Sequence, residues 1–410
     1  MKVIKNKTCR MCDSRKFKTV VNFGNNPLVN SLVEKKDLKK KDPVFPLHVK
    51  QCVKCKLVQL VELIDANEIY KKVDYLYFSS DMPSLDKYFK VYADELKKRF
   101  LKKNNFVLEI GSNDGVMLKF FKNKYQTLGV DPSTNVVLRC LKRGITAVPE
   151  FFTENIARQI KQEWGSPKII YGNNCIAHLN DLRDLMSGVK LLLDKKGTFI
   201  FECNYWGGMV KNINYSLIYH DHFSYFSVDV WNKFLKNYKM SIFDAVVTPA
   251  QGGSLRLYIS SDKRKKTKRY KLLVNEENKS NLNSFKTSNL YQQNVNRISK
   301  KLRNIILNLI KNKKTVAGYG AAAKGMTILR CSGIDQRHLK YFVDDSKAKQ
   351  GKFSPVDHIP IISRKNAEKN LPDYFIILAP NYSKEIMEKE KKFISKGGKF
   401  IIPKNEIIIK

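Results

Sequence analysis

Short apolar runs alternate with helical stretches through most of the chain after residue 105. The apolar runs are FVLEIG, TLGVD, KIIYGNN and GTFIFEC in the first half of this region, and TVAGYG, LKYFVDD, IPIIS and YFIILAP in the second. Strands separated by helices predict a parallel sheet built from βαβ units, with ligands at the carboxyl ends of the strands. The pattern therefore predicts an α/β protein with two Rossmann-like units.

Helical periodicity marks two further segments. Between residues 84 and 103, apolar side chains recur at the spacing of one helix face, which predicts an amphipathic helix leading into the first unit. These side chains are Leu85, Tyr88, Phe89, Tyr92, Leu96 and Phe100. Residues 261 to about 312 are rich in lysine and helical in pattern, so we expect a long helix between the two units.

Two Cys-x-x-Cys pairs lie in residues 1 to 70, a segment of short apolar runs and turn residues. The four cysteines are Cys9, Cys12, Cys52 and Cys55. Each pair can bring two sulfurs to one ion, and four thiolates suit tetrahedral zinc with no open position, so the zinc is expected to be structural. The predicted domains are a zinc-binding domain at 1–70, a Rossmann-like domain at 71–260, a helical connection at 261–312 and a second Rossmann-like domain at 313–410.

Composition limits the partners and the compartment. The formal net charge of +38, from 76 Lys+Arg against 38 Asp+Glu, could attract nucleic acid, a membrane or an anionic small molecule. The lysines are spread thinly and no basic segment is interleaved with aromatics, which makes nucleic acid a poor candidate and favours a compositional bias. No apolar run approaches the roughly 18 to 20 residues of a membrane span, and the start lacks the apolar core of a secretory signal. We expect a cytoplasmic protein that does not bind membranes.

The segment VLEIGSNDG, residues 107–115, runs from a strand into a turn that contains two glycines and two acids. Glycine lets the backbone approach a ligand closely, whereas acids in the turn would repel the phosphates of a dinucleotide. The next strand ends in Asp131, where a carboxylate can accept from both ribose hydroxyls. Together these features favour a cationic nucleoside such as S-adenosylmethionine (SAM). The expected cofactor-binding residues are Glu109, Gly111, Ser112, Asn113, Asp114, Gly115 and Asp131.

The segment YGNNCIAHLND follows the third strand and extends this site. It places Asn173, Asn174 and His178 at the same edge of the sheet. The two asparagine amides can contact the adenine or methionine part of the cofactor, and we count both as cofactor-binding residues.

The densest polar cluster is IYHDHFSYFS, with Tyr219, His220, Asp221, His222 and Tyr225 within seven residues. Histidine suits a general base near neutral pH, aspartate can orient or charge it, and tyrosine can stabilise an oxyanion. Two histidines at i and i+2 could instead be half of a metal site, but no partner pair with ligand spacing appears elsewhere. A cluster that caps a helix and bonds internally is the other alternative.

The segment VAGYGAAAKG, residues 316–325, is a second turn from strand to helix, and this one suits an anion. Small residues expose backbone N–H groups and a lysine adds positive charge, so the turn could hold a diphosphate. The residues expected to bind this part of a substrate are Gly318, Gly320, Ala321, Ala322 and Lys324. The alternative is close packing of strand and helix with no ligand.

Taken together, these segments resemble the SAM-dependent sugar C-methyltransferases of deoxysugar biosynthesis. These are three-domain enzymes with an N-terminal zinc module and two Rossmann-like domains. The likeness covers nearly the whole chain. It rests on NPLVNS and the cysteine pairs, YLYFSS, LEIGSNDG, GVDPS, NNCIAHLND, FIFE, IYHDHFSYFS, GGSLR, GYGAAAKG, DDSKAKQGKF and HIPI, in this order.

The resemblance implies methyl transfer from SAM to the carbon next to the ketone of a nucleotide-linked 4-keto-6-deoxysugar. His222 matches the family's base, and Tyr219 and Asp221 match residues that position the enolate and the base. The C-terminal domain would help to hold the nucleotide sugar. His178 and either Tyr75 or Tyr77 match further residues of the family's substrate pocket.

The chain departs from the family at several positions, which leaves the sugar open. Asp221 stands where the family usually has Glu, and SPVDHIPI differs from the usual Pro-Gly-Thr-His run. Two other methyltransferase activities remain open. A sugar O-methyltransferase could use His222 to deprotonate an alcohol, and an RNA methyltransferase would suit the zinc module and the positive charge.

Overall fold

The computed structural model describes residues 3–29, 31–71, 75 and 78–410. Its strands are β1 (Val3–Lys5), β2 (Phe17–Asn26), β3 (Phe45–Cys52), β4 (Val58–Leu60), β5 (Glu62–Ile64), β6 (Phe106–Ile110), β7 (Gln126–Val130), β8 (Ala147–Val148), β9 (Ile169–Asn173), β10 (Thr198–Asn204), β11 (Ser224–Tyr225), β12 (Ser241–Thr248), β13 (Ser254–Ser260), β14 (Val316–Tyr319), β15 (Phe342–Val343), β16 (Ile361–Ile362), β17 (Tyr374–Ile377), β18 (Lys399–Pro403) and β19 (Ile407–Ile409).

The α-helices in the same residues are α1 (Ala66–Tyr70), α2 (Pro83–Phe100), α3 (Thr134–Lys142), α4 (Glu154–Trp164), α5 (Leu182–Leu192), α6 (Trp206–Asn212), α7 (Val228–Leu235), α8 (Lys268–Lys279), α9 (Phe285–Lys311), α10 (Ala323–Ser332), α11 (Arg364–Ala367), α12 (Ser383–Lys389) and α13 (Lys391–Ser395).

The chain folds into two compact units, each assembled from three segments. The first unit contains residues 1–18, 51–206 and 223–283, and the second contains residues 19–50, 207–222 and 284–410. All four cysteines of the predicted zinc site belong to the first unit, so they do not form a compact unit of their own. The domain boundaries predicted from the sequence, at residues 70, 260 and 312, differ from these borders and stay predictions.

The first unit is built around a seven-stranded sheet in the order β12-β13-β10-β9-β6-β7-β8. Strands β6 to β10 run parallel, whereas β13 runs antiparallel to β10 and β12 antiparallel to β13. All five residues of β6 are buried, as expected for a central strand covered on both faces. The strand order reverses between β6 and β9, and such a reversal opens a crevice at the carboxyl ends of the strands. The predicted α/β architecture is confirmed.

Helix α2 confirms the amphipathic helix predicted before the first strand of this sheet. Leu85, Phe89, Tyr92 and Leu96 are buried in one apolar cluster with Val107 of β6. Successive contacts three or four residues apart keep one face of the helix on the sheet. The helix thereby anchors residues 79–81, which lie just before it.

The second unit contains a six-stranded sheet in the order β16-β15-β14-β17-β18-β19. The first five strands are parallel and β19 runs antiparallel to β18. Its core includes Tyr319, Val343, Phe375 and Phe400. The order reverses between β14 and β17, so this sheet also has a crevice at its carboxyl edge.

The single long helix predicted over residues 261 to 312 is wrong, because the segment forms two helices. Helix α8 ends at Lys279, and Asn281 adopts a left-handed φ of 47°. Helix α9 then begins after Ser284, whose hydroxyl accepts a hydrogen bond from the N–H of Thr287. Such N-capping marks a new helix start. In the described part of the chain, no helix is both long and apolar enough to cross a membrane.

A loop of the second unit holds a β-branched residue in the left-handed region. Val356 has φ 68° and His358 has φ 46°. Branching at Cβ makes this conformation costly for valine. The carboxylate of Asp42 holds the loop, because it accepts hydrogen bonds from the Val356 N–H at 2.6 Å and from His358 Nε2 at 2.9 Å.

We expect Val356→Gly to stabilise the second unit by about 1 kcal/mol, because relief of left-handed strain exceeds the entropy cost of glycine. The backbone N–H that bonds to Asp42 is retained in this variant. Thermal denaturation of parent, Val356→Ala and Val356→Gly should give melting midpoints that rise in that order. A lower midpoint for the glycine variant would contradict the strain assignment.

Candidate active site

The four predicted zinc ligands lie together in the first unit. The sulfurs of Cys9 and Cys55 are 3.4 Å apart, those of Cys12 and Cys52 are 3.5 Å apart, and all four lie within 4.8 Å of one another. Zinc–sulfur bonds of about 2.3 Å in a tetrahedron require sulfurs about 3.8 Å apart. The cluster therefore fits one Zn²⁺ in a closed shell. Among the described residues it is the only group of three or more potential metal ligands. The alternative that His220 and His222 form half of a metal site therefore gains no support.

A hydrogen-bonded layer surrounds the cysteines and reaches strand β4. Gln59 Nε2 donates to the sulfur of Cys9 at 3.1 Å, and Arg10 Nη1 donates to Gln59 Oε1 at 2.9 Å and to the Leu60 carbonyl at 2.8 Å. The N–H of Leu60 in turn donates to the carbonyl of Phe223 at 2.9 Å. The hydrogen bonds around the cysteines therefore hold the backbone at Phe223, the residue directly after His222. We did not foresee Gln59, although a glutamine inside the apolar run LVQLV is a signal that could have found it.

The turn after β6 has the backbone conformation that a ligand-binding turn needs. Gly111, Asn113 and Gly115 have φ values of 66°, 48° and 75°. The Asn113 N–H donates to Asp131 Oδ2 at 2.9 Å, and the Ser133 N–H donates to Asp131 Oδ1 at 3.0 Å. Asp131 therefore ties the turn after β6 to the end of β7, and the two predicted segments do meet.

The two glycines are required by the protein's own packing. A Cβ on Gly111 would lie 2.5 Å from the Cβ of Cys175, and one on Gly115 would lie 2.7 Å from Cδ1 of Ile145. The predicted close approach of this backbone to the cofactor stays a prediction, and packing supplies an independent reason for glycine at residue 111. A larger residue there collides with Cys175 and should disrupt the first unit itself.

Asp114 of the turn and Glu109 of β6 are buried in different surroundings. Asp114 is fully buried, pairs with Arg143 Nη1 at 3.1 Å and Arg139 Nε at 3.4 Å, and accepts a hydrogen bond from the Ser80 hydroxyl. Its carboxylate anchors the turn to residues 79–81 and α3, and its contact with the cofactor stays a prediction. Burial raises the pKa of Glu109 well above its usual range, and the Tyr171 hydroxyl donates to it at 3.0 Å.

Two buried polar atoms near the turn have no hydrogen-bond partner in the described structure. They are the hydroxyl of Ser112 and the amide oxygen Oδ1 of Asn173. Asn174, with a left-handed φ of 56°, donates its N–H to the Glu202 carbonyl at 2.7 Å. Buried polar atoms are normally satisfied, so both atoms have unused hydrogen-bonding capacity, and their contact with the cofactor stays a prediction.

His178 lies in a 3₁₀ turn, Ile176–His178, just after β9. Its Nδ1 and the Tyr70 hydroxyl are hydrogen-bonded at 2.7 Å, and burial lowers the pKa of His178 to about 4, so the ring is neutral at pH 7. The Tyr75 ring packs at a tilt against the Tyr70 ring, with centroids 5.3 Å apart, and the backbone N–H and carbonyl of Tyr75 both bond to the Asn135 side chain. The structure thus brings together His178 and Tyr75 and adds Tyr70. Tyr77 lies outside the described residues.

In the second unit, the segment before residue 223 holds His222 in one defined orientation. His222 Nδ1 donates to the Leu217 carbonyl at 2.6 Å, and the Tyr219 hydroxyl donates to His222 Nε2 at 2.9 Å. A carbonyl can only accept, so the proton sits on Nδ1 and the lone pair of the neutral ring is on Nε2. His222 is 6% exposed, and its ring lies tilted against the Tyr219 ring with centroids 4.0 Å apart.

The other members of this cluster differ in their surroundings. Asp221 is 7% exposed, burial raises its pKa to about 6, and its carboxylate makes no hydrogen bond or ion pair with any described residue. His220 Nε2 donates to the Phe45 carbonyl at 3.2 Å and its ring packs against Phe45, while burial lowers its pKa to about 4. Tyr225 lies on β11 in the first unit. Only Tyr219 and His222 are joined directly.

The turn after β14 is partly occupied by the protein's own groups. A Cβ on Gly318 would clash with the Phe342 ring, so this glycine serves packing. The N–H of Ala321 donates to Asp344 Oδ2 at 2.8 Å, and the Lys349 ammonium donates to the Ala321 carbonyl at 3.0 Å. The Ala321 N–H is therefore not available to an anion.

Gly320, with φ 91°, also uses its N–H within the protein, because it donates to the Val343 carbonyl at 2.7 Å. The start of α10 keeps the features of an anion site, since Ala322 immediately precedes the helix without a capping side chain. Lys324 lies in the first turn of α10, and burial lowers its pKa to about 8. A helix start and a half-buried ammonium group suit a phosphate.

Three families match successive parts of the chain. They are described as "Putative zinc binding domain" at residues 9–70, "Methyltransferase domain" at residues 85–240 and "C-methyltransferase C-terminal domain" at residues 249–404. A relative, the C-methyltransferase NovU of Streptomyces niveus, is 31% identical over 400 residues, which cover 96% of this chain and 94% of NovU.

Solved methyltransferases resemble part of the chain more distantly. The plantazolicin methyltransferase BpumL in complex with SAH is 12% identical, with a TM-score of 0.38, over 48% of this chain and 94% of BpumL. Magnesium protoporphyrin IX methyltransferase from Synechocystis PCC 6803 is 14% identical, with a TM-score of 0.34, over 43% of this chain and 84% of that chain. These identities and TM-scores are too low to add to the family assignment.

We expect each chain to hold one zinc ion, and Cys9→Ser to lose it and to lower the stability of the first unit. Elemental analysis and thermal denaturation of purified protein measure both. Cys331→Ala, which removes a thiol outside the cluster, is the matched control and should keep the zinc. Metal-free parent protein, or a serine variant of unchanged stability, would contradict the assignment.

Proposed function

We propose that this chain, which belongs to the family of SAM-dependent C-methyltransferases, methylates the carbon next to the ketone of a nucleotide-linked 4-keto-6-deoxysugar. The observation that carries the proposal is the fixed tautomer of His222, which places a basic lone pair on Nε2 beside the hydroxyl of Tyr219. A carbon acid next to a ketone needs a base for its proton and a donor for the oxygen that becomes negative. His222 and Tyr219 supply these two groups.

In this scheme the Tyr219 hydroxyl donates to one of two acceptors, His222 Nε2 or the ketone oxygen of the substrate. Without substrate it donates to His222 Nε2 and holds the ring. With substrate, it would turn to the ketone oxygen, which frees Nε2 to take the proton from the adjacent carbon. The C–H electron pair then forms an enolate, whose oxygen is held by the tyrosine. When bound, SAM would supply an electrophilic methyl group for the enolate carbon, with S-adenosylhomocysteine as the leaving group.

Asp221 contributes negative charge near the base in this proposal. Its buried carboxylate has no cationic partner among the described residues, and it ionises above a pKa of about 6. Such a charge would favour the imidazolium that forms when His222 takes a proton. His178, neutral and bonded to Tyr70, is a further proposed substrate-contacting residue, as are Tyr75 and Tyr77, because all three match pocket residues of the sugar C-methyltransferases.

Residues of the first unit would hold SAM. Asp131 is oriented by two backbone N–H groups, so its remaining lone pairs can accept from ribose hydroxyls. The free Oδ1 of Asn173 suits the cofactor's amino group. The roles of Glu109, Gly111, Ser112, Asn113, Asp114, Gly115 and Asn174 follow from their place in or beside the same turn.

The diphosphate of the substrate would lie at the start of α10, next to Lys324. The half-buried ammonium group and the helix N-terminus favour a dianion, whereas Asp344 blocks the Ala321 N–H. Gly320 and Ala322 border this position and Gly318 supports it from the strand. The resemblance of the motifs to sugar C-methyltransferases supports a nucleotide sugar as substrate rather than RNA.

We expect Asp131→Ala to weaken SAM binding by about 10- to 100-fold, because hydrogen bonds to a charged group contribute roughly 1.5–3 kcal/mol each. Titration calorimetry with purified protein measures this. The matched control is Asp94→Ala, which removes an exposed aspartate of α2 in the same unit. Unchanged affinity in Asp131→Ala would place the cofactor elsewhere.

We expect His222→Ala to reduce turnover by about 100- to 10,000-fold, as loss of a general base does, while SAM still binds. The decisive assay is deuterium exchange at the carbon next to the ketone, with the unmethylated keto-sugar and S-adenosylhomocysteine. Exchange should occur with the parent and with His220→Asn, and should stop in His222→Ala. Asp221→Asn should slow it less.

The same experiment separates the alternatives. Exchange that persists without His222 would move the base to His178 or His220. A methyl ether as product would replace C-methylation by O-methylation, and methyl transfer to RNA in place of the sugar would overturn the substrate assignment.

A further inference from the structure

We propose that Thr327 of α10 is a positioning residue for His222, so that one helix carries both a substrate-binding cation and the support of the base. Thr327 does not touch the reacting atoms in this scheme. It acts through the backbone of residues 217 and 218. The catalytic part of this inference rests on the proposed role of His222, whereas the structural part does not.

The link consists of two hydrogen bonds to neighbouring carbonyls. Thr327 Oγ1 donates to the carbonyl of Ile218 at 2.9 Å, and His222 Nδ1 donates to the carbonyl of Leu217 at 2.6 Å. Both carbonyls belong to consecutive peptide units that share the Cα of Ile218. All of these residues lie in the second unit, and the Thr327 side chain is 3% exposed.

Loss of the Thr327 hydroxyl would leave the buried Ile218 carbonyl without this donor. A buried backbone carbonyl is rarely left unsatisfied, so the chain would rotate to find another partner. Rotation about the bonds of Ile218 also moves the Leu217 carbonyl, because the two peptide planes are rigid and share one atom. The position of the acceptor for Nδ1 therefore depends on Thr327.

The position of that acceptor decides which ring nitrogen is basic. Only the tautomer with the proton on Nδ1 leaves a lone pair on Nε2, where Tyr219 binds. If the Leu217 carbonyl moves away, both tautomers become populated and a part of the molecules has no base at Nε2. The rate should fall, while binding of SAM and sugar should change little.

The place of Thr327 on the helix connects this support with the substrate. Lys324 lies three residues earlier, in the first turn of α10. Residues three apart share a helix face, so the proposed phosphate ligand and the support of the base move together as one rigid element. The helix therefore sets the distance between the anion-binding end of the site and the segment that carries the base.

The test replaces Thr327 by valine, which keeps the branched shape but not the hydroxyl, and by serine, which keeps the hydroxyl. Thr315→Val is the matched control, because Thr315 Oγ1 donates to Asp373 Oδ2 at 2.9 Å at the opposite end of β14. Protein labelled with ¹⁵N-histidine reports the tautomer of each of the six histidines, and His222→Gln assigns the signal of His222. If the valine variant does not fold, Thr327→Ala removes the same hydroxyl.

In the parent, His222 should show one protonated and one unprotonated ring nitrogen. In Thr327→Val the two signals should move toward averaged values, and kcat with thymidine diphosphate 4-keto-6-deoxyglucose should fall about 10- to 100-fold, with KM and SAM affinity within about twofold. Thr327→Ser should restore both signals and kcat, and Thr315→Val should change neither.

Two results would overturn the inference in different ways. Unchanged His222 signals in Thr327→Val would show that Thr327 does not position the ring, whatever happens to kcat. Altered His222 signals with full turnover would keep the structural link but exclude His222 as the base, and so would reject the proposed mechanism. The signals are recorded without substrate, so the first result does not depend on the identity of the sugar.

Discussion

Two parallel strands in one sheet can be joined only by a crossover that returns the chain to the same end, so the loop after each strand emerges at one edge. Both units obey this constraint. The turn after β6 and Asp131 after β7 meet at one edge, as do the turn after β14 and Asp344 after β15. The candidate binding residues of each unit lie together because the carboxyl ends of its parallel strands share one edge of the sheet.

The two edges share a topology but differ in charge. At the first edge, Asp131 receives two backbone N–H groups and remains an acceptor, while Asp114 is neutralised by two arginines. At the second edge the equivalent acid is Asp344, which accepts a hydrogen bond from the Ala321 N–H and pairs with Lys349. Lys324 adds a positive charge at the start of α10. An acceptor edge suits a cationic nucleoside, and a cationic edge suits a diphosphate.

The zinc cluster has a wider structural role than holding its own loops. Through Gln59, Arg10 and Leu60 it fixes β4, and β4 pairs with β11 directly after the segment that contains His222. A closed four-sulfur shell is well suited to this purpose, because it resists deformation and has no open position for chemistry. In the first unit the cluster holds β4 through Gln59, and in the second unit Thr327 of α10 donates to the carbonyl of Ile218.

The sequence by itself determined the features that depend on near neighbours along the chain. Alternation and periodicity located α2 and the eight strands β6, β7, β9, β10 and β14 to β17. The two-residue spacing of Cys9 and Cys12 and of Cys52 and Cys55 predicted the cysteine cluster that fits zinc. Tertiary structure alone decided what depends on distant contacts. These contacts filled the space at Gly111 with Cys175, buried Asp114 between arginines, joined Tyr70 to His178 and broke the predicted helix at Asn281. They also distinguished His222 from His220, because the accepting carbonyl, Leu217 or Phe45, determines which ring nitrogen carries the proton.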